Sequence, residues 1–258
     1  MSKNILDQRS IINRKNLVSK ISSISLEKNL KDSSAQKLII KTISDEIKSG
    51  KSEIKRRFEE NQNGLLAANQ NSFLIDQVLR TLFELGTQHI YRATNPTKSE
   101  RLTLIATGGF GRSEMAPYSD IDLLFLYPYK LTFWCEQVIE YILYSLWDLK
   151  FKLGQSVRTV NECIKISKND IFTKTSILES RYICGDRKLY DKLRKRYYEE
   201  VVLNDKNSFV NSKLIEKNIR HKKFGESRYI VEPNIKEGKG GLRDIQTIFW
   251  AAKYSNNI

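Results

Sequence analysis

The stretch that most limits what this chain can become is RLTLIATGGFGRSEMAPYSDIDLLFLYP, residues 101–128. An apolar strand over Leu102–Ala106 runs into Gly108-Gly109, and ten residues later Asp120-Ile121-Asp122 heads a second apolar strand. Strand side chains alternate with a period of two, so Asp120 and Asp122 point the same way, with Cβ atoms about 7 Å apart. The LLFLYP run behind them is apolar enough to be covered on both faces. Two carboxylates at the mouth of a buried strand are costly unless something positive meets them. A divalent metal carrying a phosphate-rich substrate is the natural partner, since Mg²⁺ takes one or two carboxylates plus phosphate oxygens. Gly108, Gly109 and Gly111 allow close approach of the backbone to a ligand. A short helix starting near Arg112 would aim its first N–H groups at an anion. Arg112 adds a guanidinium fork suited to phosphate oxygens.

Gly-Gly, ten residues and Asp-hydrophobic-Asp together resemble the signature of the nucleotidyltransferase superfamily that includes DNA polymerase β. The plain alternative is a tight turn and an Asx-type loop ahead of an ordinary strand. Three further stretches sharpen the resemblance: WDLKFKLGQSVRT (147–159), LESRYICGD (178–186) and EPNIKEGKGGLRDIQT (232–247). With GGFGRSEMAPYSDIDLL they resemble, in order over residues 100–254, the N-terminal part of the PII-protein uridylyltransferases. Residues 1–99 match only as generic helices.

The resemblance implies an α+β, polymerase-β-like fold: a small mixed sheet flanked by helices, with helical extensions at both ends. It implies transfer of UMP from UTP to a tyrosine hydroxyl of the PII signalling protein of nitrogen regulation, with two Mg²⁺ ions about 4 Å apart. Asp120 and Asp122 are then the catalytic metal ligands, one of them also helping to take the tyrosine proton. Gly108, Gly109 and the amides through Gly111, Arg112 and Ser113 hold the β- and γ-phosphates, and Lys236, Lys239 and Arg243 close over the triphosphate. For Lys236–Arg243 the alternative is a turn whose Asp244 caps the last helix. A third carboxylate is open between Asp148 and Glu179, each equally readable as an acid paired with Lys150 or Arg181. Complete members continue into an HD phosphohydrolase and two ACT domains. The two histidines here, His89 and His221, are followed by Ile90 and Lys222, so an HD metal site cannot be built. Four positions depart from the family pattern: Phe110 for Tyr, Ser113 for Gly, Gln155 for His and Lys239 for Pro. A competing reading is a shortened, non-catalytic remnant that keeps the fold and binds nucleotide or PII without chemistry.

Around this centre the sequence divides into a helical extension (1–99), a nucleotidyltransferase core (100–203) and a C-terminal part (204–258) of linker, Gly-rich basic loop and starting helix. Residues 1–25 are polar and read as poorly ordered. Apolar residues from Leu26 to Ile47 recur at helical spacing, with Gly50 as a stop, and a second helix covers roughly 52–92. Trp134–Leu149 is amphipathic, Lys152–Val160 reads as a third strand, and 161–198 is helical in parts with a turn at Gly185-Asp186. Residues 204–212 read as a linker. The net charge of +14 raises nucleic-acid binding as a question. Its Lys is spread along the chain and reads as solvated helix faces, so transfer to RNA is set aside. No apolar run approaches the length of about 20 residues that spans a bilayer. Cys135, Cys163 and Cys184 have no metal spacing and fit a reducing compartment, the cytoplasm.

Overall fold

The structure is a computed structural model and describes residues 8–223, 232 and 234–256. Its contacts divide into two compact units, Met1–Val160 with Glu179–Tyr190 and Asn161–Leu178 with Asp191–Ile258.

The first unit opens with three helices, α1 (Arg14–Glu27), α2 (Ser33–Asn61) and α3 (Gly64–Glu84), the last widening into a π-helical turn at Leu85–Ile90. Residues 1–7 lie outside the described residues, but the polar stretch beyond them is ordered as a helix. Asn13 caps α1 by accepting from the Asn16 N–H, and Leu17 and Ile21 are buried. Composition hid this helix because two side chains a turn apart suffice to anchor it once α2 packs against them. Gly50 does not end a helix; it lies inside α2. A Cβ there would come within 2.7 Å of the Ile11 carbonyl oxygen, so this glycine is a point of close packing rather than a break.

The sheet follows: β1 (Thr103–Ala106), a single helical turn α4 (Gly108–Gly111), β2 (Ile121–Tyr127), the amphipathic α5 (Phe133–Asp148) and β3 (Leu153–Thr159). After α6 (Val160–Asn169) and α7 (Ile171–Leu178) of the second unit the chain returns as β4 (Arg181–Gly185). The strand order is β3-β2-β1-β4, with β1 antiparallel to both neighbours and β2 parallel to β3. This is the small mixed sheet flanked by helices expected above. β4 falls where only helix and turn were expected. Its RYICG run is too short to show a period, and its pairing with β1 is what makes it a strand. One face of the sheet sends Leu104, Ala106, Leu123 and Phe125 into a core with Ile39 and Ile43 of α2, Leu79 and Leu82 of α3 and Val138 and Ile142 of α5.

The second unit holds α6, α7, most of α8 (Arg187–Tyr197), a π-helical turn at Tyr198–Val202, α9 (Lys206–Lys223) and α10 (Leu242–Asn256). The expected linker at 204–212 is instead the start of α9. Its few apolar residues misled, but Phe209 stacks on Tyr254 at 3.9 Å between ring centres and so anchors α9 to α10. Among the described residues no helix is long and apolar enough to cross a membrane.

Candidate active site

The Gly-rich turn and the acidic strand meet at the end of β1. The Thr107 N–H donates to the Asp122 carbonyl at 3.0 Å, which carries the β1–β2 pairing one residue into the turn. Gly108 then takes φ +58°, a left-handed conformation that other residues adopt at a cost. The helical turn therefore begins at Gly108, four residues before the Arg112 start expected from sequence. Inside it the amides of Gly111, Arg112, Ser113 and Glu114 donate to the carbonyls of Thr107, Gly108, Phe110 and Gly109. The amides at the start of the turn, Gly108, Gly109 and Phe110, lie outside that ladder. Ser113, at φ +62°, holds a left-handed corner, and its carbonyl accepts from the Asn69 side chain at 2.6 Å.

Asp122 is the centre of the arrangement. Its Oδ2 lies 2.7 Å from where a Cβ on Gly108 would sit, and its Oδ1 2.2 Å from a Cβ on Gly154. Gly154 is the residue paired with Asp122 across β2 and β3. Two glycines from two different elements thus clear a slot for one carboxylate. Asp120, exposed, precedes the first residue of β2 at the end of the loop, and the half-buried Asp122 is its second residue. In sequence, Gly154 lies inside the strand pattern Lys152–Val160. A glycine inside a strand pattern marks close backbone approach, and that was the available signal.

Arg112 and Glu179 satisfy each other. The Arg112 Nη1 donates to both Glu179 oxygens at 2.6 and 2.7 Å, and its Nε to Glu114 at 2.9 Å. Burial pulls the guanidinium pKa down, but the Glu179 and Glu114 carboxylates outweigh it and the net shift is upward. Gly111 packs against the same segment, since a Cβ there would meet the Glu179 carbonyl at 2.2 Å. Arg112 and Gly111 thereby fix the turn to the residues before β4. Glu179 is 3% exposed within this pair, whereas Asp148 is an exposed residue at the end of α5. Among the described residues no three His, Cys, Asp or Glu side chains gather into a metal-holding group, so neither acid joins Asp120 and Asp122. Arg181 pairs with Asp76 at 2.6 and 3.0 Å and donates to the Phe110 carbonyl at 3.1 Å, a further brace on the turn.

The basic loop belongs to the second unit. Lys236 and Lys239 are exposed there, while Arg243 bonds Gln246 at 3.0 Å and lies over the Trp250 ring at 5.5 Å. Asp244 accepts from the Gly240 N–H at 2.8 Å and from His221 Nε2 at 2.9 Å, and it also pairs with Arg220. Burial would raise its pKa, but the Gly240, His221 and Arg220 contacts win and hold the carboxyl below its usual value. Arg220 and His221 lie 24 and 23 residues before Asp244 and meet it only in the fold. Pro233, within the same motif, lies outside the described residues.

The donor set at Asp120 and Asp122 fits a divalent metal shared with phosphate oxygens: two carboxylates, one flanked by two glycines, beside the first amides of a helical turn. The family model described as GlnD PII-uridylyltransferase matches residues 208–258. The bifunctional uridylyltransferase/uridylyl-removing enzyme of Azospirillum brasilense is 47% identical over 97% of this chain, which covers 27% of that protein. The enzyme of the same name from Erythrobacter litoralis is 43% identical over 96% of the chain and 27% of the relative. That from Rhodospirillum rubrum is 48% identical over 80% of the chain and 22% of the relative. The chain spans about a quarter of the length of the curated relatives it matches.

Proposed function

From a chain related to the PII-uridylyltransferase family along nearly its whole length, we propose a nucleotidyltransferase that moves UMP from UTP to a tyrosine hydroxyl of a PII-type signalling protein. The observation that carries this reading is the Asp122 carboxylate in its slot between Gly108 and Gly154. In the proposed reaction the tyrosine oxygen attacks the α-phosphorus and pyrophosphate leaves, while the phenolic proton passes to a carboxylate or to water. Asp120 and Asp122 would hold the metal, Mg²⁺ by chemistry of the donors. When bound it would supply charge neutralisation at the α-phosphate and the leaving group. The amides at Gly108, Gly109 and Phe110 would orient the β- and γ-phosphates. The free cysteines Cys135, Cys163 and Cys184 suit a cytoplasmic enzyme.

Labelled UTP, purified PII protein and Mg²⁺ in one tube test the reading, with label on a PII tyrosine as the expected result. No label, together with no metal-dependent heat of UTP binding in calorimetry, overturns it. The second reading, a domain that binds nucleotide without transfer, is favoured by the lack of a third carboxylate beside Asp120 and Asp122 among the described residues and by Gln155 beside Gly154. It predicts binding heat with no label.

A further inference from the structure

Two strands away from Asp122, about 10 Å across the sheet, the edge strand β4 borders a different cavity. Its volume is about 460 Å³, and it is lined by Arg14 of α1, Arg80, Phe83 and Glu84 of α3, Gln88 of the π-helical turn, and Tyr182–Gly185 of β4. That size is within the range of small-molecule sites. All of these residues belong to the first unit.

The charge in this cavity is unbalanced. Arg14 pairs with Glu84. Arg80 makes no hydrogen bond or ion pair among the described residues, and its Nε is buried without a partner, as is the Nε of Arg14. The Arg80 guanidinium thus lines the cavity as a positive charge with no countercharge, which a bound anion would neutralise. The other titratable groups do not supply one. Burial pushes the Cys184 thiol up to about 12, so it stays neutral. Burial also raises Tyr182, against the pull of Arg187 and Arg80, and its hydroxyl donates to the Gly185 carbonyl at 2.7 Å. Of the further carboxylates close by, Asp76 is held bidentately by Arg181, and Asp186, which follows Gly185, pairs with Arg101 at 3.3 Å. The π-helical turn that brings Gln88 to the rim is a distortion found often at binding sites.

We propose that this cavity binds the oxyanion group, carboxylate or phosphate, of a small molecule, with Arg80 and Arg14 as the cationic partners and Phe83 and Ile183 as the apolar wall. The site is separate from the Asp120–Asp122 centre and would take its ligand without a metal.

Isothermal titration of the metal-free protein at low ionic strength tests this, with succinate in one arm and inorganic phosphate in the other. Saturable binding in at least one arm is expected, and the arm that responds identifies the anion. Arg80→Gln should weaken it at least ~10-fold, the loss of a charged hydrogen bond. Gln88→Glu, at an exposed position, should weaken it at least ~3-fold by placing a like charge beside the ligand, and serves as the variant if Arg80→Gln fails to fold. Excess UTP with Mg²⁺ should leave the bound probe in place. The proposal is overturned by no saturable heat in either arm, by undiminished binding in a folded variant, or by displacement with UTP.

Discussion

One methyl group is enough to test the carboxylate slot. Gly154→Ala would set a Cβ 2.2 Å from the Asp122 Oδ1 as it now stands, so the carboxylate must turn or the strands must part. The expected result is transfer activity lower by ~100-fold or more, with about 1–3 kcal/mol of stability lost to overpacking, read by assay and by chemical denaturation. Asp120→Asn removes ligand charge from an exposed side chain and touches no packing. Transfer should fall by at least ~100-fold while the denaturation midpoint stays within about 0.5 kcal/mol of the parent. Wild-type turnover in that variant would remove the metal assignment at this residue. Both acids were visible in the sequence because a two-residue spacing at a strand head has few other uses. Gly154 was not, because its partner Asp122 lies on another strand and only the β2–β3 register brings them side by side.

At the scale of elements, the Gly-rich turn is held from outside. The Arg112–Glu179 pair ties it to the residues before β4, with Glu179 buried and Arg112 partly so. Glu179→Gln leaves the guanidinium with only the more exposed Glu114 as countercharge and should cost about 1–3 kcal/mol in chemical denaturation. The double variant Arg112→Met with Glu179→Leu should be less damaging than the single change, because it removes the stranded charge as well as its partner. The residue type and neighbours of Arg112 suggest a phosphate partner; in the fold it also meets Glu179, 67 residues away. A second element-level test is Gly50→Ala. By helix propensity alone the change would stabilise α2 by about 1 kcal/mol. Contact with the Ile11 carbonyl and Leu74 reverses the sign, and a lower denaturation midpoint is expected. A midpoint above the parent's would mean that helix α2 and residue 11 can separate at little cost.

For the whole molecule, charge is the property that composition settles outright. A net charge of +14 repels itself in the compact state, so raising sodium chloride from about 20 to about 200 mM should raise the melting temperature. A flat or falling response would mean that local ion pairs already absorb the excess. What the residues determined by themselves were the local patterns. Leu102–Ala106 and Leu123–Tyr127 are apolar runs with no stable place except inside a sheet, Trp134–Leu149 repeats at helical spacing, and Gly108 meets the demand of a left-handed turn. Each of these signals acts over a few neighbouring residues, where backbone sterics and side-chain period leave little choice. The fold decided the partnerships. β4 is a strand because β1 offers it hydrogen bonds, α9 is anchored because Phe209 finds Tyr254, and the carboxylate slot exists because residue 154 arrives beside residue 122. Those free energies depend on residues far apart in the chain, so no local pattern carries them.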